Sequence, residues 1–441
     1  MQGVTRARLF HYYPGNLKPV VDLEFASGVN RIIVHESAHQ PLDDYCPGVS
    51  LSITGQWFNR HETWAEQAKP WTDYLARTSY LLSEGRNVAD FLVYYGEDTN
   101  ITARYAGGEI GLPKGYNYDF VNPYALLNVI EYKNGCFVAP SGNSWKVLVL
   151  DADFISDKIR QRLDAWKAAG ARICTKDKLD YSGIAQDVET SSDIRFVHRS
   201  VQDGEIYWIS KPSDTFETVT LSFRCCGLVP SVWDAETGEI LSASYKIENG
   251  RTVVEIPITP NDAKFVVFSK QTKGKHPVIL SVSEESFALD GPWHVSFQEG
   301  RGAPASAMFQ ELLSYTESDD SGIKYFSGTA TYTKDFTLSE RPEYLMLDLG
   351  NVQNIAEVIV NGHPVRTLWK IPYKVEITDY VTLGTNSLEV RVTNLWPNRL
   401  IRDAQLPEGE RLTHITYPFY GPNDPLRPSG LIGPVTLVVL R

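Results

Sequence analysis

Long apolar runs are missing from this 441-residue chain. Its densest hydrophobic stretches, such as RIIVH and KVLVL, fall far short of the ~20 residues of a helical membrane span, so no membrane partner is expected. Cysteine is scarce: Cys46, Cys136, Cys174, Cys225 and Cys226 form no CxxC pair and no ligand-like spacing with histidine. An odd, scattered set argues against a disulfide framework and against structural zinc, and no metal ligands are assigned. The adjacent Cys225 and Cys226 sit in a strand-like run, where neighbouring side chains point to opposite faces, and read as two small hydrophobes. Basic charge is in deficit. The 42 lysines and arginines against 54 acids leave −12, which argues against a nucleic-acid-binding face. No GxGxxG or GxxxxGK[ST] phosphate loop occurs, so no cofactor is assigned within this chain. The absence of a G-x-S-x-G turn leaves a Ser-His-Asp hydrolase without support. The opening residues MQGVTRARLFHYYPGN contain no apolar leader segment, so no signal peptide is read there.

Aromatic residues, by contrast, are plentiful at 12%. Sandwich cores and carbohydrate sites both draw on them, and core packing accounts for most. The length predicts about three domains, and four textures follow one another. Residues 1–86 read as a helix over LKPVVDLEFASG stopped by Gly28, the strand RIIVH, a long irregular loop and a helix. In that second helix Trp71, Tyr74, Leu75, Thr78, Leu81 and Leu82 recur at helical spacing before Gly85. This is one turn of an α/β barrel or layered sheet, and it cannot close a barrel by itself. Residues 87–190 alternate fully apolar strands (VADFLVYYG, KVLVLDA, ARICT) with the amphipathic helix ISDKIRQRLDAWKAAG, as in a flavodoxin-like α/β domain. Residues 191–275 carry RFVHRSV, EIYWIS, ETVTLSF, TVVEIPI and KFVVFS between turn signals, an antiparallel β-sandwich. Residues 276–441 repeat that pattern at larger size and suggest a jelly-roll sandwich. The fold class is therefore multidomain α/β plus all-β.

The loop after RIIVH concentrates side chains suited to a sugar. His35, His39, Gln40, Arg60 and His61 can donate to vicinal hydroxyls, and Trp57 can stack on a pyranose face. Loops longer than ~12–15 residues within a domain are usually functional. The competing reading is an ordered surface loop with solvated charges. Glu36 and Glu62 are weak candidates for a catalytic carboxylate pair. Glycoside hydrolysis needs two such groups at a separation that sequence cannot supply. His35 and His39 are four apart but not on one helical face, so they make a poor metal signal. In the last domain NLWPNRLIRD places Trp396, Asn398 and Arg399 on an exposed turn, where they could contact sugar. Capping the sandwich is an equally good role for Trp396.

Several segments resemble the α-L-rhamnosidases of glycoside hydrolase family 106. They are VDLEFASGVNRIIVHESAHQP, GQWFNRHETWAEQAKPWTDYLARTSYLLSEGRNVADFLVYYGEDTNIT, GYNYDFVNPYALL and FVAPSGNSWKVLVLD. SGTATYTKDFTL, IAEVIVNGHPV, ITDYVTLGTNSLEVRVTN and SGLIGPV resemble the galactose-binding-like sandwich shared with family 2 β-galactosidases. The resemblance implies inverting hydrolysis of terminal α-L-rhamnosyl linkages in plant polysaccharides, such as pectic rhamnogalacturonans, or in glycosides. It also implies two catalytic glutamates, and a calcium ion near the sugar in the full-length enzyme. Family members carry a nearly complete (β/α)8 barrel, about 250 residues, before the HQP segment. Here only its closing strand, loop and helix have counterparts, so the resemblance places acid and base on no residue of this chain. Arg402 stands where the family pattern has glycine in its LIxD turn. The expected function is the C-terminal part of a rhamnosidase, inactive alone, with a rhamnose-containing glycan as partner. Its location is periplasmic or secreted if the natural N-terminus is missing, otherwise cytoplasmic. The alternatives are a non-catalytic carbohydrate-binding protein using the jelly-roll and an independent hydrolase using Glu36 and Glu62.

Overall fold

Alternation of buried and exposed side chains builds the largest sandwich. On Gly384–Thr393, Leu388, Val390 and Val392 point inward and are buried, while Glu389 and Arg391 point out and pair at 2.6 Å. The computed structural model describes residues 9–35, 37–49, 58–97, 111–271 and 284–440. The chain forms two units, one of residues 1–24, 31–76 and 279–441, the other of residues 25–30 and 77–278.

In the first unit, six antiparallel strands run in the order Ser306–Phe309, Trp293–Phe297, Thr329–Leu338, Gly384–Thr393, Ile355–Val360 and His363–Leu368. A four-stranded sheet of Glu284–Ala288, Thr436–Leu440, Tyr344–Asp348 and Lys374–Glu376 faces it. Residues of both sheets, among them Trp293, Tyr332, Val358, Leu345 and Val375, share one core, as two stacked sheets require. The NG pair read from IAEVIVNG makes the Ile355–Val360 hairpin turn, with Asn361 and Gly362 both at positive φ (50° and 78°). Two positive φ values are what a tight hairpin demands of its central residues. Against the sandwich lie the first turn of the helix Pro14–Ala26, where Gly15 approaches the Trp369 carbonyl, and the start of the helix Lys69–Ser83. Trp71 meets Trp369 edge-on at 5.4 Å. Lys18, fully buried, bonds Asp22 at 2.6 Å and lies over the Tyr74 ring; without that carboxylate its burial would be prohibitive.

RIIVH is not the buried strand its composition predicts. Residues 31–35 have no regular structure, and Ile33 is 81% exposed. A strand exists only by exchanging backbone hydrogen bonds with a neighbour, and no strand among the described residues pairs with this stretch. The chain pairs further on instead: Pro47–Gly48 runs parallel to His414–Ile415.

The second unit contains a parallel sheet in the order Tyr118–Val121, Phe91–Tyr94, Val147–Leu150, Ile173–Thr175. The helix Asp157–Ala168 buries Ile159, Leu163 and Trp166. Glu97, in the YGED turn, accepts the Ser156 amide at 2.7 Å at that helix's start, where a nucleotide fold would place phosphate. A sandwich follows. Its four-stranded sheet is Val188–Glu189, Glu217–Phe223, Arg251–Ile258 and Tyr245–Glu248. The six-stranded sheet is Ile240–Ser242, Leu228–Trp233, Asp262–Gln271, Gly204–Lys211, Arg195–Val201 and Arg86–Asn87. Tyr207, Leu221, Val254 and Phe268 fill the space between them.

Candidate functional site

The polar loop is built largely from its own hydrogen bonds. His35 and His39 lie on exposed chain. Gln40 turns inward: its amide donates to the Val49 carbonyl at 2.6 Å, and its oxygen accepts the Val49 amide at 2.8 Å. Gly48 has φ +98°, and a Cβ there would collide with Gln40 Oε1 and the Tyr45 carbonyl. The Gln40 side chain is thus occupied in folding the loop. Arg60 reaches across to the Gln40 carbonyl at 2.7 Å and pairs with Asp43 at 2.6 Å. Both partners are half or more exposed, so the pair adds little stability. It does hold the Arg60 guanidinium one residue from His39.

Downstream, Asn59 accepts the His61 amide at 2.8 Å and starts a turn. The His61 ring is buried, and neither nitrogen has a hydrogen-bond partner. Burial first, then the Arg60 charge, hold its pKa below the ordinary value, opposed by the nearby Pro47 carbonyl and Asp43. The imidazole is therefore neutral at pH 7. Glu62 is 4% exposed, and both carboxyl oxygens lack partners. Burial raises its pKa well above the ordinary carboxylate value, outweighing the downward pull of the neighbouring Trp64 indole. A protonated carboxyl suits a general acid, but this one is sealed from any substrate in the present conformation. Thr63 Oγ1, Trp64 Nε1, Gln67 Oε1 and Trp71 Nε1 are also buried and unpaired. Folded interiors seldom leave so many polar atoms unused, which makes residues 61–71, the end of the loop and the first turn of the helix Lys69–Ser83, the stretch whose chemistry the fold does not consume. Glu36 and Trp57 lie outside the described residues.

Comparison with known proteins supplies the frame for this geometry. A family model described as alpha-L-rhamnosidase matches residues 3–178 and 170–247, more than half of the chain. The chain belongs to that family. A second model, a glycosyl hydrolase 2 galactose-binding domain-like module, matches residues 313–422. The solved rhamnosidase from Novosphingobium sp. PP1Y superposes with a TM-score of 0.90 at 37% identity, over 97% of this chain and 46% of that one. A curated relative from Formosa agariphila, called a putative beta-glucuronidase, is 24% identical over 97% of this chain and 62% of its own length. The chain thus spans roughly half to two thirds of these relatives.

In this member of the rhamnosidase family, NLWPNRLIRD is not the exposed turn expected from sequence. It folds as the helix Pro397–Ala404, and Trp396, Asn398 and Arg399 are all buried. Trp396 donates its indole N–H to the His61 carbonyl at 2.8 Å and carries the Arg301 guanidinium 4.2 Å above its ring. Asn398 donates to the Arg427 carbonyl and accepts the Arg427 amide, both at 2.8 Å. Arg399 is held by Asp403, four residues on, with Nε at 3.0 Å. Proline at the first helical position and an i,i+4 ion pair explain the helix. These side chains are spent on the sandwich end, and the turn read as surface became core. Arg301 escaped the sequence reading because nothing local marks an arginine that will lie over a tryptophan 95 positions away.

Proposed function

We propose that this chain forms part of a glycoside hydrolase that removes terminal α-L-rhamnosyl groups from plant polysaccharides or glycosides with inversion. The observation that carries the reading is the match of nearly the whole chain to the solved rhamnosidase. The exposed His39 and the anchored Arg60 then contribute one wall of the rhamnose site, donating to its hydroxyls, with His35 and the neutral His61 close in sequence. Catalytic acid and base belong to the portion of the longer relatives that has no counterpart here, where barrel strands would also pair with RIIVH. On this reading the chain alone has no turnover, and the intact enzyme works in the periplasm or outside the cell. A calcium ion implied by the family finds no home among the described residues, which bring no three histidine, cysteine or acidic side chains together; no step is routed through it. The galactose-binding-like sandwich favours a second reading, glycan binding without chemistry.

Release of L-rhamnose from an aryl α-L-rhamnoside is the test. The chain by itself should release none. Alanine at the positions matching His39 and Arg60 in a full-length relative should each lower kcat/KM by about five- to 150-fold, the worth of one buried hydrogen bond at 1–3 kcal/mol. Wild-type kinetics in both variants would show the loop to be structural only.

A further inference from the structure

A separate opening in the second unit plays no part in the rhamnoside reading. At one end of the six-stranded sheet, Leu228–Trp233 and Asp262–Gln271 lose register between Leu228 and Val229. There Lys270 takes a left-handed backbone, φ +58°, which residues with a side chain seldom adopt. Bulges and strained residues gather at functional sites. Beside them the turn joining Arg195–Val201 to Gly204–Lys211 leaves a cavity of about 950 Å³, within the size range of ligand pockets. Arg86 and Lys270 bring two cations to its wall, Asp203 and Glu205 two carboxylates, and Val201 and Leu228 an apolar surface.

Glu205 is aimed from behind. Its Oε2 bonds His198 Nε2 at 3.0 Å, and His198 Nδ1 bonds the buried Asp187 at 2.7 Å. The imidazole stacks on Tyr207 at 3.9 Å, and the Tyr207 hydroxyl donates to Asp187 at 2.9 Å. The other Glu205 oxygen, Oε1, accepts a long bond from Ser200 Oγ at 3.4 Å, so the carboxylate keeps one orientation, and an oxygen with two lone pairs retains acceptor capacity at the cavity wall. Arg86 is likewise anchored, donating to the Gly142 carbonyl at 2.7 Å.

We propose that this cavity binds a neutral saccharide through vicinal hydroxyls. The balance of charge selects the class: with two cations against two carboxylates, a charged ligand meets repulsion along with attraction. Hydroxyls both donate and accept, so they use all four groups. The saccharide class rests on the carbohydrate reading above, whereas the site itself rests on the sheet end alone. Calorimetric titration of the whole chain tests it, with methyl α-L-rhamnoside as the neutral probe and D-galacturonate as the acidic one. The neutral probe should bind in the millimolar range and the acidic one at least about tenfold more weakly. Glu205→Gln and Lys270→Ala should each weaken neutral binding about tenfold or more in chain that still melts cooperatively, and Lys133→Ala, which removes an exposed cation outside both sites, should leave it unchanged. Absence of binding, tighter binding of galacturonate, or undiminished binding in both cavity variants overturns the inference. Binding lost in Arg60→Ala but kept in Glu205→Gln also overturns it, while supporting the rhamnoside site in the first unit.

Discussion

A carboxyl group sealed from solvent with no hydrogen-bond partner costs free energy whenever it ionises, and Glu62 is such a group. Burial raises its native pKa above the unfolded value of about 4.3. Its contribution to stability is therefore fully present below that value and is lost as pH rises through the native pKa. Glu62→Gln keeps the shape and removes the charge. The variant should melt above wild type at pH 8, by an equivalent of about 1–3 kcal/mol, and converge with it near pH 4. Equal melting at pH 8 would show the carboxyl to be paired after all. The sequence made Glu62 visible as one acid among several. Its burial depends on Trp64 and the turn around it, and no spacing rule reports that.

At the scale of elements, the helix Pro397–Ala404 shows how one ion pair can decide a local fold. Asp403 holds Arg399 and also accepts the amides of Leu412 at 3.1 Å and Thr413 at 2.7 Å. Asp403→Ala leaves a buried guanidinium without its partner and strips two amides of their acceptor. Removing one member of a buried pair generally costs about 3–5 kcal/mol, and thermal denaturation should register a loss of that size. A change below about 1 kcal/mol would mean that water replaces the carboxylate, as at surface pairs. The i,i+4 spacing of Arg399 and Asp403 and the leading proline were present in the sequence as helix signals. The segment's polarity hid them, because it suggested a solvated turn.

At the scale of a whole unit, one ion-pair network centred on the buried Asp90 and Asp187 joins the parallel sheet to the second sandwich. Arg224 bonds Asp90 at 3.0 Å at the foot of Phe91–Tyr94, Lys146 bonds Asp90 at 2.8 Å, and Arg224 lies 3.8 Å from Asp187 beside His198. Burial opposes a charge on His198, yet its bonds to Asp187 and Glu205 outweigh burial and raise its pKa. Burial likewise opposes the Asp187 carboxylate, and His198 followed by Arg224 more than compensate, lowering its pKa. The histidine's contribution is fully present below its unfolded value of about 6.5 and lost as pH rises through the native one. The aspartate's is present above about 3.9 and lost as pH falls. Wild-type chain should therefore lose stability between pH 6.5 and 9 more steeply than His198→Gln in melts across that range. Parallel curves would remove the histidine from the account.

Much of the architecture could be read directly from local pattern. Arg195–Val201 and Glu217–Phe223 coincide with RFVHRSV and ETVTLSF, because alternation needs only one buried face to declare itself. Helices end as glycine predicts, Gly28 and Gly170 both lying just beyond a terminus at positive φ. The family, too, was legible in contiguous motifs. Tertiary structure alone decided which apolar run finds a partner: RIIVH, central by composition, stays unpaired among the described residues. It also decided which polar groups are spent, burying Trp396, Asn398 and Arg399 and tying Glu205 to His198. Periodicity records which face of a segment is apolar, but the surface that face meets is set by long-range contacts, and those exist only once the chain has folded.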